Sequence, residues 1–432
     1  MPSPAFLRRI FALVVACGSA PAAAAPFAYI ANVDTDNVSV IDTATNTVVA
    51  TIPVGDRPYG VGITTDFGRV YVANYGSNSL SVIDTKTNAV VATVANVCAN
   101  PAFVEPRPDG AEMWVSCHGE TRVVVVNTTS NTVTRWLVAQ TTPLGSTFDA
   151  DGSRIFVASY GNATVRVHRA DVLWQLKQVP SGISPTDVQI GPSGAYAYVL
   201  SSGESRITNI NLSTLNTERT IWFAAPPFSL TMHPNGGVAY VTLPSVGKVS
   251  VFDVGSFAQA GTIDVGGTPM GIDRNADGSR IYVSNEAGYV SVINTATNVV
   301  VATIPVGGKP RSHGRFVAKG FPPPDAVPQA VTDVVATAGV AQASVAFVPG
   351  NDGGGPISRY TATCGTRTGS GTTSPVVVAD LPVGEPVTCT VVATNALGDS
   401  AVSAPSNEVT PYAIVPAAPT SVVATASDYT IS

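Results

Sequence analysis

One short element recurs along this chain at a nearly fixed interval. YIAN at Tyr29, YVAN at Tyr71, WVSC at Trp114, FVAS at Phe156, YVLS at Tyr198, YVTL at Tyr240 and YVSN at Tyr282 stand 42, 43, 42, 42, 42 and 42 residues apart. A proline keeps the same period, at Pro58, Pro101, Pro143, Pro185, Pro227, Pro269 and Pro310. Two markers in step through seven copies define a repeat architecture. Each unit is then one supersecondary element that buries its apolar surface only against its neighbours.

The unit that opens at Pro58 reads YGVGIT, RVYVAN, SLSVID and AVVATV, split by the turns TDFG and TKTN. Apolar and polar residues alternate within the runs, which is the strand period, and the glycines at the first turns permit positive φ. The Asp or Asn closing the third run (Asp42, Asp84, Asn127, Asn211, Asp253, Asn294) suits an Asx turn, whereas the fourth copy has Arg169. Four antiparallel strands per unit, repeated seven times without helices, predict an all-β seven-bladed β-propeller. The chain starts on runs two to four, from Tyr29 to Val54, and ends the array on an extra run one, from Pro310 to Val317. The strand missing at the front is supplied at the back. Pairing the two would close the ring and remove two exposed edges.

Composition bounds the function. The net charge is −6 with only 23 basic residues, so no basic stripe is available for nucleic acid. At the N-terminus, Arg8 and Arg9 precede the apolar run Ile10–Ala16 and then small residues, the pattern of an export signal over residues 1–24. An alternative reading makes VVAC at Val14–Cys17 a lipoprotein box, with a lipid anchor at Cys17. No later segment reads as transmembrane. The expected location is exported: periplasmic, cell-surface or extracellular. Four further cysteines, an even number in an exported chain, favour the disulfides Cys98–Cys117 and Cys364–Cys389 over two buried thiol pairs. The second bridge is expected to face across a sandwich core. Cys117-His118 lacks the first cysteine of a haem-attachment motif, no H-E-x-x-H occurs, and DTDN at Asp34 lacks the rest of a calcium loop. The sequence therefore points to no metal and no cofactor.

The YVAN…SVIDT…VVATIPVG pattern resembles the YVTN-repeat propellers, a family of exported and surface-layer seven-bladed propellers, over residues 27–318. The resemblance implies a fold more than a task, since fold relatives include lactonases and quinoprotein subunits. A proline-rich linker follows at residues 319–329. LPVGEPVTCTVVATNALG is similar to the signature of fibronectin type III modules, which implies a β-sandwich over residues 330–411. Val387 stands where that family has its corner tyrosine and Phe347 where a tryptophan is usual. TDVVATA at Thr332 returns as TSVVATA at Thr420, so residues 412–432 read as the start of an incomplete second module or a disordered tail.

Two surfaces could work. Residues two and four past each marker proline are small or polar, apart from Phe103, and are expected on the wet side of the channel-lining strands. A bulge in the closing strand would turn His313 and Arg315 inward as well. That collects Glu105, Asp187, Asp273, Arg311, His313 and Arg315 as a candidate channel site for an anionic or polar ligand, against the plainer reading of a solvated channel with paired charges. The loop face carries Asp34, Asp36, His118, Glu120, Tyr160, Glu204 and Glu286, and its acidity argues against anionic polymers. The leading expectation is a non-enzymatic binding or scaffold protein presenting that face to a protein or glycan partner. The alternative is a lactonase-like or other hydrolase at the channel mouth, which would need Glu105, Asp187, Asp273 and His313 clustered.

Overall fold

The structure, a computed structural model, describes residues 26–320, 326–353 and 355–413. The expected signal peptide, Cys17, part of the linker and all but the first two residues of the C-terminal tail lie outside the described residues. The described chain divides into two compact units, residues 26–320 and residues 326–413.

The first unit is a β-propeller built from seven sheets among the described residues. The repeat sets the strands: Pro58–Ile63, Arg69–Asn74, Ser79–Asp84 and Ala89–Val94 run antiparallel in order, and the later copies follow the same order. The sheet of Phe27–Asn32, Asn37–Asp42 and Thr47–Pro53 has three strands. The second and third strands of each repeat are almost wholly buried, whereas the fourth is mostly exposed on alternate residues or throughout. The sheets therefore stack face to face and leave their outer edges wet.

Two devices repeat around the unit. In every sheet the pairing of third and fourth strands slips by one residue, as between Val40 and Ile41 or Val292 and Ile293. Such a bulge increases local twist and carries the outer strand away from its neighbour. The marker tyrosine then reaches the next sheet: the Tyr29, Tyr71 and Tyr240 hydroxyls donate to the side-chain oxygens of Asn88, Asn131 and Asn298. These asparagines lie at positive φ in the turns before the fourth strands, where Asn is tolerated. All six Asx turns form, with each Asp or Asn accepting main-chain N–H groups two or three residues on.

The segment after Pro310 lies between the first and second sheets. His313–Arg315 pairs in parallel with Gly60–Gly62, while the Tyr29 and Arg311 amides donate to the Phe316 and Ala31 carbonyls. The last sheet also meets the first. Tyr282 donates to the Thr43 carbonyl, as Tyr71 does to Thr128, and Tyr282, Val290 and Ile304 share one core with Tyr29, Val40 and Phe316.

The second unit has a three-stranded sheet (Thr332–Gly339, Gln342–Val348, Val376–Val378) and a four-stranded one (Arg367–Gly371, Arg359–Cys364, Cys389–Asn395, Gly398–Asp399). They share a core in which Phe347 and Tyr360 meet at 4.8 Å. Both disulfides form. Cys364 and Cys389 are direct partners on adjacent strands of one sheet, so this bridge does not cross the core as expected. Period-two alternation places both cysteines inward but does not say which strands pair.

Candidate functional site

The strands that line the centre of the propeller divide into three layers along their length. Residues one past the marker proline, namely Tyr59, Ala102, Leu144, Phe228 and Arg311, line a cavity of about 300 Å³ at the loop face. Residues four past it, namely Glu105, Thr147, Gln189, Thr231, Asp273 and Gly314, line a second cavity of about 280 Å³. Residues two past it fall between, and this layer is dry. Ser229, Asp187 and Ser312 are at most 2% exposed, and Phe103 is 3% exposed. An added Cβ at Gly60 would come within 2.5 Å of the Ala102 carbonyl, and one at Gly271 within 2.0 Å of the Ser312 carbonyl. The small residues expected to line water are small because neighbouring strands approach closely there.

His313 completes the plug. It is fully buried, with its ring 4.7 Å from Phe103 of the second cavity and 5.0 Å from Phe228 of the first. Its Nε2 lies 3.6 Å from Asp187 Oδ2, and neither ring nitrogen has a hydrogen-bond partner. Asp187 is held by the Ser229 hydroxyl and the Leu230 and Val188 amides. Gly314, at φ +115°, turns the chain so that Arg315 lines the second cavity.

The six residues expected to form one channel site therefore occupy three places. Asp187 and His313 form the buried plug. Glu105, Asp273 and Arg315 line the second cavity, and Arg311 lies at the loop face, paired with Glu286. In the second cavity Arg315 donates to Glu105 at 2.7 Å, and Lys319 donates to Asp273 at 3.0 Å. Burial lifts the Glu105 carboxyl to about 7, against the pull of Arg315, and Asp187 adds to the rise. Burial also lowers Lys319, which Asp273 partly restores. Sequence reasoning missed Lys319 and Arg274. Lys319 falls in what reads as linker, and Arg274 sits one residue past the expected channel positions.

At the loop face the rings form an arc. Tyr59 and Tyr75 meet at 5.9 Å, Tyr75 and His118 at 6.3 Å, and His118 and Tyr160 at 5.9 Å. Arg57 lies over Tyr75 and Arg311 over Tyr59. Asp34, Lys309 and Phe228 complete the lining. Burial lowers the His118 imidazole below its ordinary value. Of the seven expected loop-face residues, Asp34, His118 and Tyr160 meet here, and Glu286 adjoins through Arg311. The other three do structural work. Asp36, Glu120 and Glu204 share one repeat position and accept main-chain N–H groups of the inter-sheet loops, from Arg57, Ala99 and Ile183. Glu120 and Glu204 also pair with Arg122 and Arg206. Tyr59 and Tyr75 signal themselves in sequence only as strand-end aromatics beside a turn. Among the described residues no helix is long and apolar enough to cross a membrane, and no three His, Cys, Asp or Glu side chains converge as a metal site.

A family model described as YNCE-like β-propeller matches residues 4–118. No curated protein matches the chain. Among solved structures, the chain is similar to a protein of unknown function from Desulfotomaculum acetoxidans, at 16% identity and a TM-score of 0.59 over 67% of this chain and 100% of that one. It is similar to hydrazine synthase of Kuenenia stuttgartiensis at 18% identity and a TM-score of 0.57, over 66% and 99% of the two chains. It is also similar to the dihydro-heme d1 dehydrogenase NirN at 14% identity and a TM-score of 0.53, over 69% and 78%. At such identities these likenesses concern the fold, and that fold is the β-propeller.

Proposed function

We propose that this is an exported, non-catalytic binding protein whose loop-face cavity receives a sugar unit of a glycan. In this reading the seven sheets are blades of a closed ring, the segment after Pro310 supplies the first blade's missing strand, and the second unit is a fibronectin type III-like sandwich. Two disulfides support an oxidising, exported location.

The observation that carries the reading is the ring arc Tyr59–Tyr75–His118–Tyr160 around a cavity of about 300 Å³. Aromatic faces offer a rigid apolar surface to one side of a sugar ring, and a tyrosine hydroxyl can add a hydrogen bond at its edge. Arg57, Lys309 and Arg311 supply cationic donors around it. The acidity counted on this face from sequence is largely engaged in loop contacts and arginine pairs. The hydrolase reading finds less support, because Asp187 and His313 are enclosed beneath Phe103 and Phe228. Titration of the oxidised full chain with a panel of mono- and oligosaccharides tests the proposal. One class should bind, and Tyr75→Ala or Tyr160→Ala should weaken it about tenfold. Absence of saccharide binding, or capture of a protein insensitive to both variants, would overturn it.

A further inference from the structure

We propose that the second cavity, on the far side of the His313 plug, is a separate binding site for a small organic acid carrying two or more carboxylates. Three cationic side chains line it, Arg274, Arg315 and Lys319, against two acids, Glu105 and Asp273. The acids do not balance the cations. Asp273 is saturated by Lys319 and by the main-chain amides of Arg274 and Val317. Glu105 takes Arg315. The Arg274 guanidinium donates to the carbonyl oxygens of Met232, Asn275 and Ala276. Its hydrogen bonds thus go to dipoles while Asp273 and Asp277 act on it through space, and an incoming anion would add a direct charge contact. Burial lowers its pKa accordingly.

The polar lining suits carboxylates. Thr147, Gln189 and Thr231 supply neutral donors, and the Ser146 hydroxyl is 1% exposed and has no partner. An unpaired buried hydroxyl at a cavity wall is costly unless a ligand or water completes it. Guanidinium groups take planar carboxylates through two parallel hydrogen bonds. The volume, about 280 Å³, lies at the small end of ligand pockets, which run from about 300 Å³ upward. That fits a compact di- or tricarboxylate rather than a nucleotide or a polymer.

Glu105 makes this binding depend on pH. The charged groups facing it are Arg315 and Lys319 from the closing segment and Asp187 from Pro185–Ile190. While protonated, Glu105 adds no repulsion and offers a donor. Once ionised, it repels the ligand. Affinity is therefore full below the Glu105 pKa of about 7 and falls as pH rises through it.

The test is calorimetric titration of the oxidised full chain at low salt with succinate and citrate, and with inorganic phosphate and sulfate beside them. At least one carboxylate should bind, more weakly at about pH 8.5 than at about pH 6. Glu105→Gln should remove that dependence and keep the binding. Arg274→Gln and Lys319→Met, each checked for native circular dichroism, should weaken it about tenfold or more. Arg57→Ala, at the other cavity, should leave it unchanged, so failure here is distinguishable from failure of the glycan reading. Three results would each overturn the proposal: no carboxylate binding up to about 10 mM, equal or tighter binding of phosphate, or loss of binding in Arg57→Ala alone.

Discussion

Glu105 shows how far one side chain can depart from its sequence context. It follows Val104 on an ordinary strand, yet it ends buried beside Arg315, with its pKa lifted from an ordinary 4.5 to about 7. The folded state therefore holds a proton that the unfolded chain releases above about 4.5. The group favours folding fully below that value, progressively less as pH rises, and not at all above about 7. Glu105→Gln cannot ionise, so this contribution to the slope disappears. Melting temperatures of wild type and variant across that window should converge at low pH and separate at high pH, with the variant the more stable. Parallel curves would contradict the assignment. Asp36, Glu120 and Glu204 carry the opposite lesson. They look like exposed acids ready for a partner, but each accepts a loop amide, because loops between sheets leave main-chain donors that must be met.

At the scale of the strand, close approach governs residue choice. The Pro269–Arg274 strand runs beside the closing segment, and a Cβ on Gly271 would lie 2.0 Å from the Ser312 carbonyl. Backbone cannot yield as a side chain does, so Gly271→Ala should cost about 1–3 kcal/mol. Gly261, on an outer strand, has nothing within 4 Å. Gly261→Ala should change stability by no more than about 0.5 kcal/mol. Urea midpoints of both variants decide the matter, and equal effects would rule out steric contact as the reason for glycine. The tyrosine latches also act at this scale. Each ties one sheet's second strand to the next sheet's turn, and a hydrogen bond of this kind contributes roughly 1 kcal/mol. Several such latches around the unit oppose sliding of one sheet on another.

For the whole molecule the segment after Pro310 is decisive. It donates to the Ala31 and Phe27 carbonyls through Arg311 and Ala318, accepts from Tyr29, and pairs with Gly60–Gly62. Its Phe316 is fully buried in the core shared by the first and last sheets. Internal deletion of residues 309–320 should expose two strand edges, lower the melting temperature and produce dimers or aggregates by size-exclusion chromatography. A monomer with unchanged melting behaviour would show that the first and second sheets stand without it.

Much of this was legible beforehand, because strand and turn chemistry is local. Period-two alternation, Asx turns at Asp42 or Asn294 and a fixed repeat each need only a few neighbouring residues, and they carried the all-β repeat architecture. Val61, Val104, Val188, Leu230 and Ile272 alternate with those central positions, and all five are buried, as period two requires. The site was less legible. Alternation tells which side of a strand a residue faces, but not whether that side is wet or pressed against another backbone. The layer of Gly60, Asp187 and Ser312 is dry for that reason. Nor does the period reveal that Lys319 turns back onto Asp273, or that Cys364 pairs with its neighbour strand rather than across the core. Local sequence determined the repeating element. Long-range packing, which sets distance and solvent access between residues far apart in the chain, decided where its charges could act.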